Sequence, residues 1–228
     1  MAEFIIELNE DNTVKRVLRD GAPDSSAGQL EQLFSIVTIY FRLANSNLNQ
    51  MRSMNDAMDR RACGVQAFIM SLTGLEAFAN TYFHLRAREI KRLDLEQRVE
   101  QNRSTLAQKF RDLIALVGDP EMHDQEALLA RIFQFSSLRN ALVHPRWTPS
   151  SLVVSSDAPI VINDLVENFQ AQFENQRFCH EALFWCLLVV ARIAEARGNS
   201  DVSGFMFHWT GNYGLTLRMI LQQLGLDE

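Results

Sequence analysis

Apolar residues recur at helical spacing through most of this chain, and the places where they do not mark its other parts. Leu30, Leu33, Phe34, Val37, Phe41, Ala44, Leu48 and Met51 follow i, i+3, i+4, i+7 spacing from about residue 29, which predicts a helix. Ile36, Ile39, Tyr40 and Leu43 widen that stripe beyond one face. Such a helix is either central or covered by a second subunit. A second helix is expected over residues 55–93, its stripe made by Val65, Phe68, Ile69, Leu72, Leu75, Ala79, Tyr82 and Phe83. Its end carries Arg86, Arg88, Lys91 and Arg92, cations that oppose the helix macrodipole. Val99, Leu106, Phe110, Leu113 and Ile114 predict a third helix over 94–117, stopped by Gly118-Asp119-Pro120. The fourth starts near residue 124 and runs through Leu128, Leu129, Ile132, Phe133 and Phe135. It should end at His144, because Pro145 disfavours helical backbone in the residue before it. A fifth helix is expected over 175–196 and a sixth within 202–224, interrupted at Gly211-Asn212-Tyr213-Gly214.

Two stretches depart from this period. Residues 4–8 and 13–18 are short β-branched runs around a polar Asn9-Glu10-Asp11-Asn12, which predicts a hairpin, and 21–28 reads as a linker. Residues 151–162 predict a second short hairpin, which could pair with the first. The expected fold class is therefore all-α, a helical bundle with small accessory β-hairpin elements. Its organisation would be a hairpin and linker over 1–28 and a bundle over 29–228, with a hairpin insertion near 151–162.

Composition narrows the partners. A chain of 228 residues can bury a sizeable core. A net charge of -6 excludes a general polycation for nucleic acid, although Arg supplies 19 of the 22 basic residues and suits local phosphate contacts. Cys63, Cys179 and Cys186 form no CxxC pair and lie in apolar helical patterns, which points to buried free thiols in a reducing compartment. The N-terminus lacks a basic region followed by an apolar run, and the longest apolar run, 182–191, is too short to span a membrane. A soluble cytoplasmic protein without a membrane segment is expected. His84, His123, His180 and His208 are isolated and no Cys lies at ligand spacing, so no metal site is expected. No cofactor-binding loop is expected either, since Gly211-x-x-Gly214 is too short to cradle a phosphate.

Reactive side chains concentrate at the end of the fourth helix, in Ser136-Ser137-Leu138-Arg139-Asn140-Ala141-Leu142-Val143-His144-Pro145. In an ideal helix Ser136, Ser137, Arg139, Asn140 and His144 fall within an arc of about 160°. Such residues suit metal-free RNA cleavage. A His can take the 2′-hydroxyl proton or protonate the leaving 5′-oxygen, a guanidinium can stabilise charge on the phosphate, and Asn140 can orient the imidazole. Arg139 and His144 nevertheless lie about 140° apart in an ideal helix. Two copies facing one another across a dimer would bring them together. On the second helix Glu76 stands inside the stripe, flanked by Leu75 and Phe78, with Asn80 one turn on. It either points outward or pairs with an Arg of another helix.

Arg139-Asn140-Ala-Leu-Val-His144 resembles the Arg-x4–6-His motif of the HEPN superfamily, and Leu75-Glu76-Ala-Phe-Ala-Asn80 resembles the acidic-polar patch on an earlier helix of many members. The resemblance covers about residue 29 to Pro145 and the following helices, and no part of the hairpins or of Gly211–Gly214. It implies a helical bundle and a homodimer whose two motifs meet in one cleft. The implied activity is a metal-independent endoribonuclease leaving a 2′,3′-cyclic phosphate and a 5′-hydroxyl. Arg139 and His144 would then be catalytic with Asn140 supporting, and Glu76 would orient Arg139. Asn80 and Ser137 would support the site, and Arg146 would help draw RNA to it. The family implies roles in defence, toxin–antitoxin systems or RNA processing, with an antitoxin or regulatory protein as partner. Some relatives lack activity and serve as interaction modules, so a non-catalytic dimeric scaffold is the alternative.

Overall fold

A computed structural model describes residues 4–8, 14–23, 26–101, 105–117, 122–143, 172–212 and 214–226. The chain forms two compact units, Met1–Ile36 and Val37–Glu228. The expected hairpin near 151–162 lies outside the described residues, as do His144 and Arg146.

The first unit holds an antiparallel sheet of β1 (Phe4–Leu8), β2 (Val14–Arg19) and β3 (Ala22–Pro23), in that order. Its first hairpin falls where the two short β-branched runs placed it. Glu7 pairs directly with Arg16, and the Arg16 guanidinium donates to both carboxylate oxygens at 2.6 and 2.7 Å. The expected linker over 21–28 is replaced at its start by β3. Asp20 and Gly21 both take positive φ, 51° and 81°, and join Arg19 to its partner Ala22. Two central residues with positive φ match the twist of flanking strands, and Asp-Gly is the pair that tolerates it. That dipeptide was a legible turn signal.

Helix α1 (Ser26–Met51) begins in this unit and continues into the second from Val37. There Val37, Phe41, Ala44, Leu48 and Met51 are buried, as their spacing requires. Ile39 and Leu43 remain 46% and 44% exposed, so α1 is not wholly enclosed. Further helices among the described residues are α2 (Ala57–Glu89), α3 (Leu93–Gln101), α4 (Leu106–Val117), α5 (Gln125–Val143), α6 (Gln176–Ala196), α7 (Val202–Thr210) and α8 (Leu217–Leu224). The single helix expected over 94–117 is two. α3 ends at Gln101, and Thr105 starts α4 by accepting the Gln108 N–H on its hydroxyl. A side-chain oxygen in that place satisfies a donor that a continuous helix would have paired with its own backbone.

The caps explain the other boundaries. Asp56 accepts the Met58 and Asp59 amides to open α2, and Asn175 accepts those of Arg177 and Phe178 to open α6. Gly211 closes α7 in the left-handed region, where a Cβ would also stand 2.5 Å from the Thr38 methyl. This glycine ends α7 within the Gly211–Gly214 stretch read as an interruption.

α2 is the central helix, packed against α3, α4, α5 and α6, while α7 and α8 pack on α6. Phe68 of α2 holds one aromatic cluster, with Phe135 of α5 at 5.9 Å, Phe173 at 5.3 Å and Phe178 of α6 at 5.8 Å. A second cluster joins Phe78 and Tyr82 to Trp209 of α7. α2 is long and apolar enough to cross a membrane by composition, but 56% of its most apolar window is buried inside the protein. It is built as a core helix, compatible with a soluble protein.

Cys179 and Cys186 are buried free thiols, whereas Cys63 is partly exposed, which corrects the expectation that all three are buried. Burial pushes the Cys179 thiol up to about 12 and that of Cys186 higher still. Because the thiolate is the nucleophile, maleimide should label Cys63 alone in the native protein and all three residues in urea. Mass spectrometry of labelled peptides reads the difference. Native labelling of Cys186 at the rate of Cys63 would contradict the packing of α6.

Candidate functional site

Three helices bring charged groups together beside the aromatic core. Glu76 and Asn80 are one turn apart on α2 and so share a face. α5 supplies Arg139 and Asn140, and α4 supplies Lys109. The Arg139 Nη1 donates to Glu76 Oε2 at 2.8 Å, and its Nη2 donates to Asn140 Oδ1 at 3.4 Å. From the other side the Lys109 ammonium donates to Asn80 Oδ1 at 2.8 Å and lies 3.7 Å from Glu76 Oε1. Of the two placements open to Glu76, pairing with an Arg of another helix is therefore the one adopted.

The electrostatics follow from burial. Lys109 keeps only 6% of its side chain exposed and Arg139 19%, against 34% for Glu76. Two cations share one carboxylate, which leaves an excess of one positive charge in a mostly desolvated setting. A buried charge without a partner is expensive, so Glu76 and Asn80 are what allow Lys109 to sit there. Arg139 also lies near the Cys186 thiol of α6, on which its charge acts against the much larger effect of burial.

Lys109 escaped the sequence reading. A signal existed: the chain has three lysines, and this one stands three residues after Leu106 and four before Leu113, inside the apolar stripe of its helix. A cation on a buried face calls for an acidic partner, but nothing local says which one.

The polar arc expected on α5 is not one solvent face. Ser136 is buried, with an Oγ that has no hydrogen-bond partner among the described residues. Arg139 is half-buried, while Ser137 and Asn140 are exposed. The arc thus runs from core to solvent, and Ser137 takes no part in the ion-pair cluster. Ala141, outside that arc, is also exposed, because α5 is covered along only part of its girth.

Among the described residues no three His, Cys, Asp or Glu side chains gather as a ligand set for a metal ion. The cluster is instead suited to an anion. Arg139 can turn unused N–H groups outward while Glu76 fixes its plane, and Lys109 adds positive potential from behind. No family model, no curated protein and no solved structure matches this chain.

Proposed function

We propose that the chain is a cytoplasmic, metal-independent endoribonuclease of the kind its resemblance to the HEPN superfamily implies, serving defence, a toxin–antitoxin pair or RNA processing. One observation carries the reading. Arg139 and Glu76, 63 residues apart and paired by that resemblance, are joined at 2.8 Å. A guanidinium held by a carboxylate on a neighbouring helix is pre-aimed, and pre-aimed charge contributes most to a transition state.

In the proposed reaction the RNA 2′-oxygen attacks the adjacent phosphorus and the P–O5′ bond breaks. His144 removes the 2′ proton or delivers one to the departing 5′-oxygen, and Arg139 stabilises the added negative charge on the phosphoryl oxygens. Asn140 orients the site and Arg146 draws the strand. The products are a 2′,3′-cyclic phosphate and a 5′-hydroxyl. A homodimer would supply the second motif, and the exposed Ile39 and Leu43 on successive turns of α1 are apolar surface such a partner could cover.

The test is cleavage of single-stranded RNA in excess EDTA by the wild type and by His144→Ala, with product ends identified by mass spectrometry. Cleavage by the wild type alone, leaving cyclic phosphate, supports the proposal. Equal cleavage by both proteins, or strict dependence on added metal, sinks it. A second reading, a non-catalytic dimeric scaffold, is favoured by the engagement of Arg139 with both Glu76 and Asn140. A stable dimer that cleaves nothing and keeps its biological effect in both Arg139→Ala and His144→Ala would select it.

A further inference from the structure

Away from the Glu76–Arg139 cluster, α1 and α6 form the walls of an open cleft of about 670 Å³, whose lining is completed by Gly211, Asn212 and Leu215. Such a volume is in the range of small-molecule sites. The α1 wall is a polar stripe at helical spacing that includes Arg42, Asn45 and Asn49. The opposite wall is apolar and aromatic: His180 stacks on Phe184, with ring centroids 5.1 Å apart and planes at 22°, next to Leu183 and Leu187.

Three features set this cleft apart. No Asp or Glu is among the described residues that line it, in a chain whose net charge is -6. Arg16, Arg61, Arg92, Arg111, Arg131 and Arg139 each hold a carboxylate, whereas Arg42 has no side-chain hydrogen bond or ion pair among the described residues; Arg177 and Arg218 share that, but neither lines the cleft. Asn212 carries a buried side-chain Nδ2 with no hydrogen-bond partner among them. A buried donor left unpaired is a cost that a ligand acceptor would remove.

Together these features describe a ligand. An unpaired guanidinium suits a phosphate, which it can grip with two parallel N–H groups. Several carboxamides, each with donors and an acceptor, suit a ring whose edge presents both. A flat aromatic pair beside leucines suits the face of that ring. We propose that this cleft binds a nucleotide, with Arg42 on the phosphate, Asn45, Asn49 and Asn212 on polar edges of the base or ribose, and the base against the His180–Phe184 wall. The nucleotide is either free or one unit of a single strand. The inference does not depend on cleavage at Arg139, because binding alone is what it requires.

Isothermal titration calorimetry with AMP, GMP, CMP, UMP, inorganic phosphate and adenosine tests it. At least one monophosphate should bind about tenfold or more tighter than phosphate or adenosine alone, since one charge-assisted contact is worth about that factor. Arg42→Ala and Asn49→Asp should each weaken that binding about tenfold or more, the second by replacing an amide donor on the base or ribose edge with a carboxylate that repels the anionic nucleotide. Both positions are exposed, so melting temperatures should hold. No saturable binding of any monophosphate overturns the proposal, as do equal affinity for inorganic phosphate and binding unchanged in both variants. A single-stranded tetranucleotide bound much tighter than any monophosphate assigns the cleft to a strand, and equal affinity assigns it to the free nucleotide. Either result supports the shared chemistry. The same titration on His144→Ala should be unaltered, which keeps this outcome separate from that of the cleavage assay.

Discussion

Replacing Glu76 by Ala should destabilise the protein by about 2–3 kcal/mol, because it strands two cations that now share one carboxylate. Lys109 is nearly enclosed and Arg139 mostly so, and neither has a second carboxylate in the cluster. Glu76 itself is about a third exposed, so water entering the space it leaves offsets part of the penalty, and the estimate sits below the full cost of breaking a buried pair. Lys109→Met should behave oppositely. It removes the excess charge, leaves Arg139–Glu76 as a neutral pair, and frees only the exposed Asn80, which water can satisfy. Its stability should stay within about 1 kcal/mol of the wild type. The double variant Glu76→Ala/Lys109→Met should recover much of the single loss, since residues of one network do not add. Urea denaturation of the four proteins measures this. A Lys109→Met variant less stable than Glu76→Ala would mean that the ammonium, and not the carboxylate, holds the cluster together. If the proposed reaction holds, Glu76→Ala should also slow RNA cleavage, because Arg139 would no longer be held in one plane.

Gly64→Ala should destabilise by about 3 kcal/mol or more, although Ala is the better helix former by about 1 kcal/mol. Gly64 lies in α2 where the chain before α6 crosses it. A Cβ built there would stand 1.9 Å from the Phe173 carbonyl oxygen and 2.9 Å from its carbon. That backbone has little room to retreat. The Phe173 ring is packed against Phe68 and Phe178, Glu174 is paired with Arg61, and the Cys179 thiol donates to the same Phe173 carbonyl. Gly74, in the same helix, is the control. Its Cβ would meet only side-chain atoms of Tyr40 and Phe41, at 3.2 Å, so Gly74→Ala should cost distinctly less. Thermal melts of the two variants give the comparison, and equal losses would show that helix packing in general, not the Phe173 carbonyl, sets the cost.

The helices were legible because their cause is local. A 3.6-residue period in α1 and α2 names the buried face of each, and Val37, Phe41, Ala44 and Leu48 are buried accordingly, whereas Phe133, counted in the stripe of α5, is 52% exposed. Asp20-Gly21, Asp56, Asn175 and Gly211 act within a few residues of themselves, so turns and caps could also be read along the chain. The division between α3 and α4 was missed because Val99 and Leu106 keep one apolar phase across it, and the phase hid the cap at Thr105.

What the sequence by itself determined was therefore which residues face inward and where most elements stop. Which element covers each face was decided only in the tertiary structure. Periodicity placed Glu76 inside the apolar stripe of α2, while Lys109 stood unread in that of α4; a Coulomb partner is chosen by distance in space, and only packing of α2 against α4 and α5 set both cations on one carboxylate. The same holds for Gly64, whose need for no side chain arises from a carbonyl 109 residues away, and for Arg42 and His180, which became walls of one cleft when α1 came to lie beside α6.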